Sequence, residues 1–217
     1  MAETRDAPSI YWVEPKRRGV LPLDGFRLSR SLAKTLKAER FEHRVDTAFA
    51  HTVAACAEPT PEREGTWIND QIFDAVVQLH AAGHAHSVEC WREGKLVGGL
   101  YGIALGRAFF GESMFSRETD ASKAALAHLV ARLRCGGYAL LDCQFITPHL
   151  ASLGVIEIER GDYKSLLSSA LSSSADGAAD FFAFDAPFPD TASPPRTTMV
   201  AGPVSGKRIV QSLVHTS

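Results

Sequence analysis

Three polar residues near the ends of two predicted strands have the chemistry to move a proton. Glu112 ends the strand predicted over residues 108–112, and Asp142 and Gln144 lie in the strand predicted over residues 138–144. Side chains alternate between the two faces of a strand, so Asp142 and Gln144 share one face. Because burying an unpaired polar group costs a few kcal/mol, these residues indicate one of two arrangements. They form either a satisfied hydrogen-bond network or a site at an opening of the sheet where all three meet.

A basic stripe follows the helix predicted from Ser29 to about Arg40. Its apolar face is predicted by Leu28, Leu32 and Leu36, which recur every four residues. Basic residues at spacings of three and four form the other face: Arg27, Arg30, Lys34 and Lys37. Such a stripe is either a solvated helix face or a surface that follows phosphates. The first 40 residues contain nine Lys or Arg against five Asp or Glu, which favours an anionic partner.

Trp67 and three histidines are weaker candidates. Trp67 precedes a helix predicted over residues 69–82, where it is either a core residue or a surface for base stacking. His80, His84 and His86 straddle a helix end and a strand start, so they need not converge on a metal ion. Structural or surface roles are favoured for these histidines, and we predict no metal site.

Composition excludes several classes of protein. The 217 residues are 45% hydrophobic and 22% charged with a formal net charge of −2, which is typical of a globular chain rather than a disordered one. No apolar run is long enough to span a membrane, and the first residues lack a signal peptide, so we expect a cytoplasmic protein. The four cysteines include no C-x2-C pair, which favours buried free thiols over a zinc site or a disulfide framework.

Hydrophobic periodicity predicts an α/β fold with one mixed sheet. Three strands in a meander are predicted between residues 86 and 112, because hairpin spacing separates them. The remaining elements follow in chain order: a strand and helix over 45–56, helices over 69–82 and 121–135, a strand over 138–144, a short helix after Thr147, a strand over 155–159 and a helix over 162–171. No regular period continues beyond residue 172, so an extended, partly ordered tail is predicted there.

Seven segments in consistent order resemble the leucyl/phenylalanyl-tRNA–protein transferase family. They are SRSL (29–32), EGTWI (64–68), GHAHSVECW (83–91), LVGGLYG (96–102), FGESMFS (110–116), LDCQ (141–144) and HLASLG (149–154). The resemblance as a whole extends over roughly residues 11–167. Several motifs at consistent spacing are more specific than any one of them alone.

The resemblance implies an acetyltransferase-like (GNAT) fold, an α/β (α+β) mixed sheet flanked by helices, that uses aminoacyl-tRNA instead of acyl-CoA. On that basis residues 17–171 are the catalytic domain and residues 172–217 the tail. Residues 1–16 are expected to be the remnant of a truncated N-terminal domain, because the Gly-rich segment and Phe-Pro-Trp-like motif that usually precede residues 11–15 are missing.

The activity that the resemblance implies is aminoacyl transfer. Leu, Phe or Met would pass from aminoacyl-tRNA to the α-amino group of proteins beginning with Lys or Arg, which marks them for N-end-rule degradation. Glu112, Asp142 and Gln144 would surround the reacting amine and ester. Asp142 could orient Gln144, whose carbonyl oxygen accepts a hydrogen bond from the amine, while Asp142 or Glu112 takes up the proton. No cofactor is required, and we expect a monomer.

The substrate-binding residues also follow from the resemblance. Trp67 would contact the 3′-terminal adenosine of the tRNA. The acceptor stem would meet a basic cluster: Arg30, Lys34 and Lys37. Four hydrophobic residues are candidates for the hole that takes the aminoacyl side chain: Leu100, Tyr101, Phe109 and Met114.

Two alternative functions remain at the level of sequence. An acyl-CoA N-acyltransferase of the same fold should carry a Gly-rich pyrophosphate loop, whereas residues 115–121 contain no glycine and two acids. The second alternative is a non-catalytic tRNA-binding remnant, which would bind tRNA without transferring the amino acid.

Overall fold

Seven strands form one mixed sheet in the computed structural model, which describes residues 1–59, 65–172, 178–186 and 203–214. The strands are β1 (Arg17–Leu21), β2 (Glu42–Val45), β3 (Ala85–Arg92), β4 (Lys95–Leu105), β5 (Ala108–Ser116), β6 (Leu140–Gln144) and β7 (Ile156–Glu159). Their order across the sheet is β2-β3-β4-β5-β6-β1-β7. Every neighbouring pair is antiparallel except β5 and β6, which run parallel.

Helices cover both faces of this sheet. They are α1 (Arg30–Lys37), α2 (Phe49–Cys56), α3 (Asp70–Ala81), α4 (Ala121–Cys135), α5 (Pro148–Ser152), α6 (Arg160–Ser172) and α7 (Gly206–Val214). A Cβ on Gly98 of β4 would meet Ala121, whereas one on its neighbour Gly99 would meet Thr52. Since consecutive strand residues face opposite sides, α4 and α2 lie on opposite faces, each over its own hydrophobic cluster.

Local capping explains where the predicted helices begin. Ser29, Asn69 and Thr147 each accept a hydrogen bond from the backbone N–H three residues on, at 3.1, 3.0 and 3.2 Å. A side-chain acceptor at this position satisfies an otherwise unpaired amide of the first turn. The mixed α/β sheet, the β3–β5 meander and the bounds of α4 are confirmed.

Two elements differ from the sequence prediction. Strand β1, for which the hydrophobic periodicity predicts no regular element, lies between β6 and β7. Helix α7 occupies part of the predicted extended tail, with Ile209 and Val210 buried in the main core. The expectation of an extended segment therefore does not hold for α7, while residues 173–177, 187–202 and 215–217 of that tail lie outside the described residues.

The four cysteines are free, but they are not all buried. Cys56 and Cys90 are buried, Cys143 is half-buried and Cys135 is exposed. Buried free thiols were thus the right expectation for two of the four positions. Among the residues described, no helix has the length and apolar character needed to cross a bilayer.

Candidate active site

The parallel strands β5 and β6 stop pairing at Asp142, and a polar cluster lies just beyond. The two strands share three residue pairs, the last joining Phe110 to Asp142. Past that point Gln144 Nε2 donates a hydrogen bond to Glu112 Oε2 across the opening, at 2.8 Å. Asp142 Oδ1 in turn accepts the backbone N–H of Gln144 at 2.7 Å. The structure therefore brings the three polar residues named from the sequence into one hydrogen-bonded group.

Asp142 is the most enclosed member of this group. Its side chain is inaccessible to solvent, and Arg18 Nε lies 3.0 and 2.9 Å from its two oxygens. Tyr163 Oη donates to Asp142 Oδ2 at 2.7 Å. A buried carboxylate that is paired with a guanidinium and accepts further hydrogen bonds is well suited to holding its neighbours in place. Both of its oxygens are already occupied by these contacts.

Arg18 and Tyr163 were not identified from the sequence as site residues. Arg18 counted only toward the basic excess of the first 40 residues, and Tyr163 lies in a helix with no distinguishing motif. The requirement that a buried Asp142 have partners was recognisable from the sequence. Strand β1 supplies one partner and helix α6 the other, and this pairing depends on tertiary structure.

Gln144 departs from regular strand geometry. Its φ of 63° lies in the left-handed region, which a residue other than glycine adopts only where its surroundings hold it. The hydrogen bond from its N–H to Asp142 provides such a restraint. A carboxylate can only accept, so the Gln144 amide group presents its NH₂ to Glu112. The Gln144 carbonyl oxygen has no partner among the described residues and is available to a ligand.

Glu112 is the carboxyl best placed to exchange a proton. Burial raises its pKa above the ordinary value, and the nearby charge of Asp142 acts in the same direction. The hydrogen bond from Gln144 and the charge of Arg18 oppose this effect without cancelling it. A carboxylate whose pKa is raised toward neutrality is a better proton acceptor at physiological pH. This environment favours Glu112 over Asp142 as the base.

An apolar cavity of about 210 Å³ opens beside Glu112. Its hydrophobic lining consists of Leu100, Tyr101, Met114, Leu126, Leu129, Leu141, Cys143 and Leu150. Drug-sized ligands occupy pockets of roughly 300–1,000 Å³, so this cavity is on the scale of one amino-acid side chain. A larger cavity of about 650 Å³ lies near Gly106 and Phe182, but none of the three clustered polar residues lines it.

Three of the four predicted cavity residues line this space. Leu100, Tyr101 and Met114 do so, whereas Phe109 does not. Phe109 is fully buried and stacks on Phe181, with the ring centroids 5.6 Å apart. It lies where β5 and β6 are still paired, so its side chain is enclosed in the core before the strands separate. Phe109 is therefore not part of the lining of this cavity.

The Tyr101 hydroxyl adds an unsatisfied polar group to this region. The oxygen is buried and has no hydrogen-bond partner among the described residues. Burial and the charge of Glu112 hold the pKa of Tyr101 well above its ordinary value, so the hydroxyl stays protonated. Since buried polar groups are usually paired, a bound ligand is a natural source of the missing hydrogen bond.

The predicted tRNA-binding residues lie apart from the polar cluster. Arg30, Lys34 and Lys37 are exposed on α1, and none forms an ion pair within the described part of the chain. Trp67 is half-buried and packs against the hydrophobic cluster that contains Tyr101. The basic stripe on α1 is therefore accessible to an anion, and Trp67 is not fully buried.

The three histidines do not form a metal centre. His86 Nδ1 bonds to Asp46 Oδ2 at 2.8 Å, and His80 Nδ1 to the backbone oxygen of Ala85 at 2.8 Å, while His84 is exposed. Within residues 1–59, 65–172, 178–186 and 203–214, no three potential metal ligands converge. Structural and surface roles account for these side chains.

Comparisons with known proteins point to one family. The family model described as leucyl/phenylalanyl-tRNA protein transferase matches residues 20–168. A leucyl/phenylalanyl-tRNA–protein transferase of Rhizorhabdus wittichii is 58% identical over 233 aligned residues, covering 100% of this chain and 92% of that protein. Proteins of the same name are similar in Ruegeria sp. (55% identity; 91% of this chain, 90% of theirs) and Cereibacter sphaeroides (60%; 81% and 80%).

Proposed function

Because the chain belongs to the leucyl/phenylalanyl-tRNA protein transferase family, we propose that it transfers Leu, Phe or Met from aminoacyl-tRNA to the N-terminal amine of proteins that begin with Lys or Arg. The observation that carries this proposal is the hydrogen-bonded cluster of Glu112, Gln144 and Asp142, of which Glu112 lines an apolar cavity. A proton acceptor, a hydrogen-bond acceptor and a hole for one side chain are what aminolysis of an aminoacyl ester needs.

Positioning contributes most of the proposed acceleration, because an aminoacyl ester is already activated toward amines. The aminoacyl side chain enters the cavity between Met114 and Leu129, which places the ester beside Glu112. The Tyr101 hydroxyl is available to a polar atom of the bound aminoacyl group. A hole of this kind selects by shape, so side chains branched at Cβ fit less well than Leu, Phe or Met.

The chemical step exchanges an ester bond for an amide bond. The neutral amine attacks the carbonyl carbon, the new C–N bond forms, and the C–O bond to the terminal ribose breaks. Gln144 accepts a hydrogen bond from the attacking amine through its free carbonyl oxygen. Glu112 takes the proton that the amine loses and passes it, directly or through water, to the departing ribose oxygen, which returns Glu112 to its ionised form. Asp142, fixed by Arg18, holds Gln144 in place.

The separation of β5 from β6 supports a GNAT-type sheet, in which a substrate enters between two parallel strands. The exposed α1 stripe of Arg30, Lys34 and Lys37 supports a phosphate contact with the acceptor stem. Such contacts position the nucleic acid without reading its bases. Recognition of the tRNA end therefore depends on charge along α1 and on stacking at Trp67.

Transfer of labelled Phe from Phe-tRNA to a peptide beginning with Arg tests this proposal. We expect the labelled peptide to form, with little product from a matched peptide that begins with an acidic residue. Acetyl-CoA should neither acetylate the peptide nor compete with Phe-tRNA. Competition by acetyl-CoA would indicate an acyl-CoA transferase instead, and tRNA binding without transfer would indicate a non-catalytic tRNA-binding protein.

A further inference from the structure

Helix α7 extends the basic surface of α1 with a residue outside the family match. The family model ends at residue 168, whereas α7 spans Gly206–Val214. A shallow groove of about 370 Å³ lies between the two helices, with Lys37 on one side and Lys207 on the other. Its remaining lining is Val210, Gln211 and Val214.

The contact between α7 and α1 is close and specific. A Cβ on Gly206 would lie only 2.2 Å from the backbone oxygen of Leu36, so only glycine permits the helices to approach this closely. The Glu39 carboxylate accepts hydrogen bonds from Ser205 Oγ at 2.8 Å and from the Gly206 N–H at 2.9 Å. Ile209 is fully buried beneath the helix. These contacts hold the first turn of α7, and therefore Lys207, at a fixed place beside α1.

The charges on this face favour an anion. Lys37 and Lys207 are both exposed, and neither forms an ion pair with a described residue. The Glu39 carboxylate accepts a hydrogen bond from the backbone N–H of Lys207 at 3.3 Å. Burial tends to raise the pKa of its carboxyl, but hydrogen bonds from Gly206, Ser205 and Lys207 lower the pKa below its ordinary value. The Glu39 carboxylate therefore binds the backbone amides of α7, whereas Lys37 and Lys207 line the groove.

We propose that α1 and α7 form one continuous surface for the phosphate backbone of the tRNA acceptor stem, in which Lys207 contacts a phosphate next to the one held by Lys37. The inference rests on the proposed function and extends its tRNA surface to a helix beyond the matched region. Two lysines on either side of a groove suit successive phosphates along one strand. The methyl groups of Val210 and Val214 give the sugars an apolar floor.

Salt dependence of tRNA binding by the full chain tests this assignment. Each phosphate contact with a duplex adds about 0.9 to the slope of log K against log salt. We expect Lys207→Ala to reduce the slope by about one contact, and Lys37→Ala with Lys207→Ala to reduce it by about two. Lys207→Arg should retain the wild-type slope, because it keeps the charge.

Lys95 provides the matched control. It is exposed in the β3–β4 hairpin, with no ion pair to a described residue, and Lys95→Ala should leave the slope unchanged. An unchanged slope in Lys207→Ala, or an equal reduction in Lys95→Ala, would overturn the assignment of Lys207. Wild-type protein that binds no tRNA would instead overturn the proposed function itself, so the two failures are distinguishable.

Discussion

Two buried arginine–aspartate pairs lie in different parts of the molecule and have different surroundings. Arg18 and Asp142 join β1 to β6 beside the candidate active site, with an N–O distance of 2.9 Å. Arg132 of α4 binds Asp185 of a short 3₁₀ turn (Ala183–Asp185) at 2.6 Å. Both aspartates are almost or entirely buried, so each depends on its arginine for compensation of its charge.

The difference lies in where each hydrogen-bond network leads. Arg132 also donates to the backbone oxygen of Phe181, and its guanidinium lies over the rings of Phe181 and Phe184. All of these contacts fasten residues 181–185 onto α4. The Arg18–Asp142 pair is instead hydrogen-bonded to Gln144 through Asp142, and Gln144 is hydrogen-bonded to Glu112 beside the cavity. The same chemical pair thus anchors a segment in one place and orients reacting groups in the other.

The largest effect is expected from breaking the anchoring pair. Arg132→Met leaves Asp185 charged and buried without a partner, which should lower the free energy of unfolding by about 3–5 kcal/mol. Denaturant unfolding measures this loss, and transfer per folded molecule should stay near the wild-type rate. The double variant Arg132→Met with Asp185→Leu should recover most of the stability. An unchanged free energy of unfolding in Arg132→Met would contradict the role of Arg132 in anchoring residues 181–185 to α4.

A smaller effect, on the activation free energy of transfer, is expected from breaking the Arg18–Asp142 pair. Asp142→Ala releases Gln144 from its strained conformation, so kcat should fall by about 10²-fold, as expected when a reacting group is misplaced. The affinity for Phe-tRNA should remain within about twofold, since the hydrogen bonds and the ion pair of Asp142 are with Arg18, Gln144 and Tyr163 and not with the basic stripe on α1. Asp142→Asn, which preserves volume, serves as a second variant. Equal losses of tRNA affinity and kcat would show that the residue maintains the fold rather than the reacting groups.

The smallest effect is expected from Tyr163→Phe, which removes one of the hydrogen bonds to Asp142. A hydrogen bond to a charged group contributes roughly 1.5 kcal/mol, so transfer should slow by about tenfold. Arg18 still compensates the Asp142 charge, so the melting temperature should fall by only about 3–6 °C. A loss as large as that of Asp142→Ala would mean that the hydroxyl itself takes part in the reaction.

The sequence predicts local structure here better than it predicts tertiary partners. Helix α4 and the capping residues are predictable because their signals lie within a few positions of one another. The meeting of Glu112 with Gln144 is predictable because polar residues on otherwise apolar strands need partners, although β5 continues past Glu112 to Ser116. Arg18 is not, because its pairing with Asp142 requires β1 to lie between β6 and β7. Helix α7 is missed because its short apolar stripe follows a long segment of sequence without a regular hydrophobic period. Alternation alone also does not show where two strands separate, which is why Phe109 is a predicted cavity residue although it does not line the cavity.

The pH dependence of transfer under single-turnover conditions tests the role of Glu112 most directly. A peptide α-amine with a pKa of about 8 must be neutral to attack, so log rate rises with pH at a slope of one below that value. Glu112 must also be ionised, and its pKa is raised above the ordinary value. Below the pKa of Glu112 both the amine and Glu112 must lose a proton before reaction, so the slope of log rate against pH for the wild type approaches two. We predict that Glu112→Gln reacts about 10²-fold more slowly and keeps a slope of one throughout. A Glu112→Gln variant with the wild-type rate and the same steepening would contradict the assignment of Glu112 as the base.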